Sequence, residues 1–186
     1  MIKKIFLLIA FVISIISYQL TINLAFAAEE FATNYDVTYD IAENGVTTVT
    51  EKVNLRNLTS QYYATQFKIT IGATQITDVL ASDASGSLQT SLEQNDTSTS
   101  IGVKFNQQIA GINKLLPWTL QFKSKDFAEK HGKVWNVSVP KVVSSQNLEG
   151  YNLTVSVPLS FGEPTLITPH PKSQSSNGGK MYFIFD

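Results

Sequence analysis

The chain has 186 residues, with 14 basic and 15 acidic side chains, a net charge of −1 and a charged share of 16%, well under the roughly 25% of an ordinary soluble domain. Near-neutral charge without a basic block excludes the electrostatic footprint of a nucleic-acid binder. Zero cysteines exclude a disulfide framework, a thiolate nucleophile, an iron–sulfur cluster, a cysteine zinc site and a lipidated cysteine anchor.

The first 27 residues obey different composition rules from the rest. Lys3 and Lys4 form a short basic head, Ile5 to Ile16 is apolar apart from Ser14, and a polar-flecked stretch ends in Ala25-Phe26-Ala27. These are the three parts of a secretory signal peptide, with cleavage expected after Ala27 and Ala28 as the near-equivalent alternative. The rival is an uncleaved anchor, because Ile5 to Ala27 spans 23 residues and that length crosses a bilayer. Against it stand Ser17, Tyr18, Gln19, Thr21 and Asn23 in its second half, and small residues where a peptidase needs them. Both readings place the remainder outside, since the lysines stay inside while Glu29 and Glu30 follow. The expected location is extracytoplasmic, in a bacterium.

From Phe31 onward apolar residues recur at every second position, the period of a half-buried strand. Tyr35, Val37, Tyr39 and Ile41 share one face, Asp36, Thr38 and Asp40 the other. Asn44-Gly45 marks a hairpin, and Val49, Val53 and Leu55 line the inner face of the return strand. A two-residue loop would set Tyr39 against Thr50 and mix the faces. A loop of Glu43-Asn44-Gly45 pairs Tyr39 with Val49 and Tyr35 with Val53, at the cost of Glu51 facing Val37. A slip of one residue turns every side chain over, so the second register is predicted, with Gly45 left-handed in a bulge.

Further strands follow at even spacing. Tyr63, Phe67, Ile69 and Ile71 form a third after the Asn57-Leu58-Thr59-Ser60 turn. Ile76 to Ala81 is a fourth, closed by Asp83-Ala84-Ser85-Gly86, and Ser87 to Glu93 a weak polar fifth. Ile101, Val103 and Phe105 alternate, as do Trp118, Leu120 and Phe122, then Trp135, Val137 and Val139. Leu153, Val155 and Val157 come after an expected Glu149-Gly150 turn. One helical turn is predicted, over Asp126 to His131. The fold class is all-β, an antiparallel two-sheet β-sandwich of immunoglobulin-like or related kind. Its expected extent is 28–162, followed by a Pro/Ser/Gly-rich linker or long loop over 163–179 and a terminal strand over 180–186. Met181 to Phe185 is either the last strand of the sandwich or the start of a continuation. Its place after a linker favours the continuation.

Chemistry is harder to find. His131 lies beside Gly132, and His170 between Pro169 and Pro171. An acid–base pair or a metal site needs ligands converging from rigid elements, so both read as surface residues. Asp36 and Asp40 share an outer face, where charge discourages sheet-to-sheet pairing. Asp83-Ala84-Ser85-Gly86 lacks the repeated acids of a calcium loop. Sequons at Asn57, Asn95, Asn136 and Asn152 receive no role in so Asn- and Thr-rich a chain. Trp118 and Trp135 alternate in phase with apolar neighbours and read as core. Tyr62 lies out of phase with Tyr63, so one of the two should face solvent, the one hint of a binding surface. No catalytic residue, cofactor or metal ligand is assigned.

Tyr35-Asp36-Val37-Thr38-Tyr39, Asn44-Gly45, Val49-Thr50-Glu51-Lys52-Val53 and Leu55-Arg56-Asn57-Leu58-Thr59 resemble the start of bacterial exported transglutaminase-like proteins. Trp118-Thr119-Leu120, Gly132-Lys133-Val134-Trp135, Phe161-Gly162-Glu163-Pro164 and Pro169-His170-Pro171 before Tyr182-Phe183-Ile184 fit the same region. The resemblance implies a β-rich N-terminal module ahead of a papain-like domain with a Cys-His-Asp triad. That triad cannot lie here, where no cysteine exists. The resemblance thus implies a non-catalytic module whose partners are downstream domains or envelope components, not nucleic acid. Its membrane contact would run only through an uncleaved leader or a missing C-terminal anchor. The alternative is a surface binding or adhesion module for envelope glycan or a protein partner. A self-contained hydrolase would need a pocket gathering a serine or an acid pair around a histidine.

Overall fold

A computed structural model describes residues 30–140 and 147–186. The leader and its expected cleavage after Ala27 lie outside the described residues. The strands are β1 (Phe31–Ile41), β2 (Thr47–Asn57), β3 (Gln66–Ile71), β4 (Ile76–Asp83), β5 (Gly86–Gln94), β6 (Thr99–Lys104), β7 (Leu115–Ser124), β8 (Ala128–His131), β9 (Val134–Val137), β10 (Leu148–Pro158), β11 (Ser173–Asn177) and β12 (Lys180–Phe185). A 3₁₀ turn over Leu159–Phe161 is the one helical segment among the described residues. The chain is all-β. Ten strands hydrogen-bond in the order β11-β12-β10-β1-β2-β7-β4-β5-β6-β3, and β8 and β9 form a separate hairpin.

The β1–β2 hairpin has the register that alternation predicts, with Tyr39 opposite Val49, Tyr35 opposite Val53 and Glu51 opposite Val37. Ala42 N donates to Val46 O and Gly45 N to Ala42 O, both at 2.9 Å, closing a three-residue loop. Gly45 takes φ +81°. A Cβ there would stand 2.8 Å from Trp135 Cζ3. Glycine is needed twice at this point, for the backbone and for the ring above it.

Strand β5 changes partners midway. Gly86 to Leu88 pair with β4, whereas Gln89 to Gln94 pair with β6. Beyond this handover the sheet returns over β7, so that Phe67 and Phe105 meet Trp118 at ring-centroid distances of 5.3 and 5.7 Å. The core fills the resulting space, and Val49, Ile101, Leu120 and Phe122 are all sealed from water. On the outer face of the same strands stand Asp36, Lys52 and Asn54, all exposed.

Four expectations need correction. The sheet is mixed rather than antiparallel throughout, because β10 runs parallel to β1. Glu149-Gly150 is not a turn but a bulge inside β10, where the register shifts between Thr33 opposite Leu148 and Asn34 opposite Gly150. A Cβ on Gly150 would come 3.1 Å from Asn34 Nδ2, and such close approach is a common use of a strand glycine. The segment Asp126 to His131 holds strand β8 instead of a helical turn. Asp126 Oδ2 accepts from the backbone N of Thr74 (2.6 Å) and Gln75 (2.9 Å), so its capping capacity serves another segment. Finally, the stretch 163–179 contains β11, which pairs with β12. Met181 to Phe185 lie in strand β12, with Phe183 opposite Val155 and Met181 opposite Val157 on β10. Burying Met181 and Phe183 gains roughly 1.5–3 kcal/mol for each side chain.

Candidate functional site

Three polar groupings emerge from this frame. The first lies at the end of the sheet where β1 begins and β2 ends. Asn57, 3% exposed, is the last residue of β2 and ties two loops together. Its Nδ2 donates to Tyr62 O at 2.5 Å and to Ile109 O at 3.5 Å, while its Oδ1 accepts from Thr59 N at 2.9 Å. Asn57 N donates to Lys114 O, Asn113 N to Asn57 O, and Leu58 N to Glu30 O. Beside it, Arg56 gives Nε to Glu149 at 3.1 Å, Nη2 to the same carboxylate, and Nη1 to Asn113 Oδ1 at 2.8 Å. The recess under these loops, lined by Phe31, Leu55, Ala64, Ile109 and Leu116, holds no more than about one water. Above it Tyr62 (49% exposed), Tyr63 (43%), Ile112 (58%) and Leu115 (53%) face solvent.

The second grouping is on the core face. Glu51 is buried, and its Oε2 has no hydrogen-bond partner among the described residues. Burial pushes its carboxyl from 4.5 up to about 7, because the charged form loses its hydration. Tyr35 and Tyr151 are pushed up to about 12, first by their own burial and then by the charge of Glu51. Tyr39 moves in the same direction for the same two reasons. A carboxylic acid walled in by phenols and aliphatic side chains can hold a proton near neutral pH.

The third grouping is on the outer face. Asp40 accepts from the hydroxyl of Ser156 and pairs with Lys180 Nζ. This links β1, β10 and β12 by side chains as well as backbone. Asp36, expected beside it, stays exposed and apart from the cluster.

The remaining candidates scatter. His131 Nε2 lies 3.3 Å from Glu129 Oε2 on the exposed β8–β9 hairpin. His170 is exposed between its prolines. Trp118 is buried as expected, whereas Trp135 is half-buried and stacked on Phe161 at 4.3 Å and 6°. Asp83 Oδ1 accepts from Ser85 N at 2.7 Å, which makes Asp83 to Gly86 a turn. The sequon at Asn57 is closed to a glycan, since its amide nitrogen is spent inside the fold. Asn95, Asn136 and Asn152 are exposed. Both tyrosines of the Tyr62-Tyr63 pair face solvent, because residues 58–65 form a loop and alternation does not apply there. Ile112 and Leu115 escape sequence reasoning, since a loop has no period to mark the first and the second is an exposed residue at the very start of β7.

The class that this arrangement defines is an all-β module built on one long mixed sheet. A scan against protein-family models finds no match, and neither does a search of curated proteins. Among solved structures, the fold is similar to the M1 zinc metallopeptidase from Deinococcus radiodurans, with a TM-score of 0.53 at 9% identity, covering 84% of this chain and 39% of that one. A mutant of that enzyme bound to a Tyr-Ser-Ala substrate gives a TM-score of 0.51 at 9% identity over the same shares. At such identity the likeness is one of fold alone, and the chain spans well under half the length of the peptidase. Among the described residues no three His, Cys, Asp or Glu side chains gather around a common point.

Proposed function

We propose that this chain is a non-catalytic extracytoplasmic module, a β-sandwich in which β3 and β6 lie over β7, and that it is the leading ancillary domain of a longer transglutaminase-like envelope protein. The carrying observation is the peptidase likeness, which covers 84% of this chain but 39% of the other. A fold of this kind thus occurs as one part of a longer chain. The separate environments of the titratable groups support the same reading: Glu51 is buried on the core face, Asp40 is paired with Lys180 on the outer face, His131 lies beside Glu129 on the β8–β9 hairpin, and His170 is exposed. The leader motif and the transglutaminase-like motifs supply the envelope context.

Purified protein assayed for transamidase and protease turnover, with circular dichroism to establish β structure, tests the proposal. No turnover above buffer is expected from folded protein, and measurable turnover overturns the reading. A second reading, a binding or adhesion module for envelope glycan or a protein partner, is favoured by the joint exposure of Tyr62 and Tyr63.

A further inference from the structure

We infer that the loop end of the sheet, with Tyr62, Tyr63, Ile112 and Leu115 at its tip, lies against a lipid bilayer. Four observations meet there. Two tyrosines and Ile112 stand in water from loops that Asn57 holds together, and Leu115 from the first position of β7 beside them. The chain arrives at this same end, since Glu30 O accepts from Leu58 N at 2.9 Å and Phe31 lies opposite Asn57. The residues before Glu30 include the apolar run of Ile5 to Ala27, long enough to cross a bilayer when retained. Residues 58–65 carry no charged side chain, and Lys114 beside Leu115 has a stem long enough to leave its ammonium among the headgroups.

Tyrosine suits this place. Its ring is apolar and its hydroxyl stays wet, which is why such side chains collect where hydrocarbon meets headgroups. In a chain that keeps its leader, only Ala28 and Glu29 separate the apolar run from Glu30, so the patch is confined near the surface at high effective concentration. A weak patch then suffices. The opposite end of the sheet, at the Glu43-Asn44-Gly45 loop, sits roughly 33 Å away along an eleven-residue strand. The envelope glycan reading of Tyr62 places the same side chains on a sugar instead.

The absence of native cysteine makes the test direct. Single cysteines at Gln61→Cys and, as a control, Glu43→Cys are labelled with an environment-sensitive fluorophore in the full chain. The protein is reconstituted in phosphatidylcholine vesicles carrying a lipid with a shallow acyl-chain quencher. At least twofold stronger quenching at position 61 than at 43 is expected, with the reverse order for aqueous iodide. Adding Tyr62→Ser and Tyr63→Ser should bring position 61 down to the control level. Equal lipid quenching at both positions overturns the inference. So does quenching at 61 that survives loss of the tyrosines, which would reflect the tether alone. Protection of position 61 only on adding peptidoglycan fragments, without vesicles, also overturns it and assigns the patch to glycan. These vesicle outcomes do not depend on the transamidase and protease assays.

Discussion

Glu51 and Asp40 are carboxylates on neighbouring strands of one hairpin, and they live under opposite rules. Asp40 faces outward, where Lys180 and the Ser156 hydroxyl meet it and water shares the charge. Glu51 faces inward between Val49 and Val53, with one oxygen unpartnered and its proton affinity raised by burial. The two differ in face alone, and face is a matter of register. Partners recruited from β10 and β12 can satisfy a charge on the wet side of a sheet. On the dry side the same charge is relieved by holding its proton.

The comparison breaks most visibly with pH. Glu51 has its folded pKa raised from 4.5 to about 7, so the native state binds the proton more tightly than the unfolded chain. Its contribution is fully present below pH 4.5 and is lost as pH rises through 7, a fall of about 3 kcal/mol by pH 8. Denaturant melts of the parent should show that decline. Glu51→Gln, which keeps the shape without the charge, should flatten it and melt at higher denaturant than the parent at pH 8. A parent curve already flat between pH 4 and 8 would remove the inward carboxylate from the account.

A middle-sized effect tests what set the register. Gly45→Ala forces a side chain into a left-handed position and onto the Trp135 ring. A loss of about 2 kcal/mol is expected, read as a lower thermal midpoint. If alanine is tolerated within about 0.5 kcal/mol, the bulged loop does not hold Glu51 inward. The smallest effect belongs to the wet side. Lys180 and Asp40 keep 29% and 47% of their side chains in solvent, so Lys180→Met should cost under about 1 kcal/mol. A loss matching that of Gly45→Ala would erase the contrast between the two faces.

Much of the hairpin was legible beforehand. Tyr39 opposite Val49, the glycine bulge and the inward Glu51 all follow from period-two alternation around Asn44-Gly45. Glu149-Gly150 misled, because a glycine that eases a bulge beside Asn34 has the same local composition as one that makes a turn. Asp126 misled similarly: a side chain able to cap its own helix can equally cap Thr74 and Gln75. The loop end was half legible. Tyr62 stood out by its phase, whereas Ile112 joins it only because Asn57 gathers both loops, and Leu115 only because β7 starts beside Arg56.

The amino-acid sequence by itself determined that most of the region from Phe31 onward is made of strands, which side of β1, β2 and β7 is apolar, and how β1 turns back on β2. Those features are local, set by side-chain alternation and by the φ that one glycine can reach. Only the tertiary structure decided that β10 runs parallel beside β1, that β7 lies next to β2, and that β12 closes on β10. Backbone hydrogen bonds are the same at every residue, so strand order carries no local signature. It is settled by which apolar faces, taken together, can leave water.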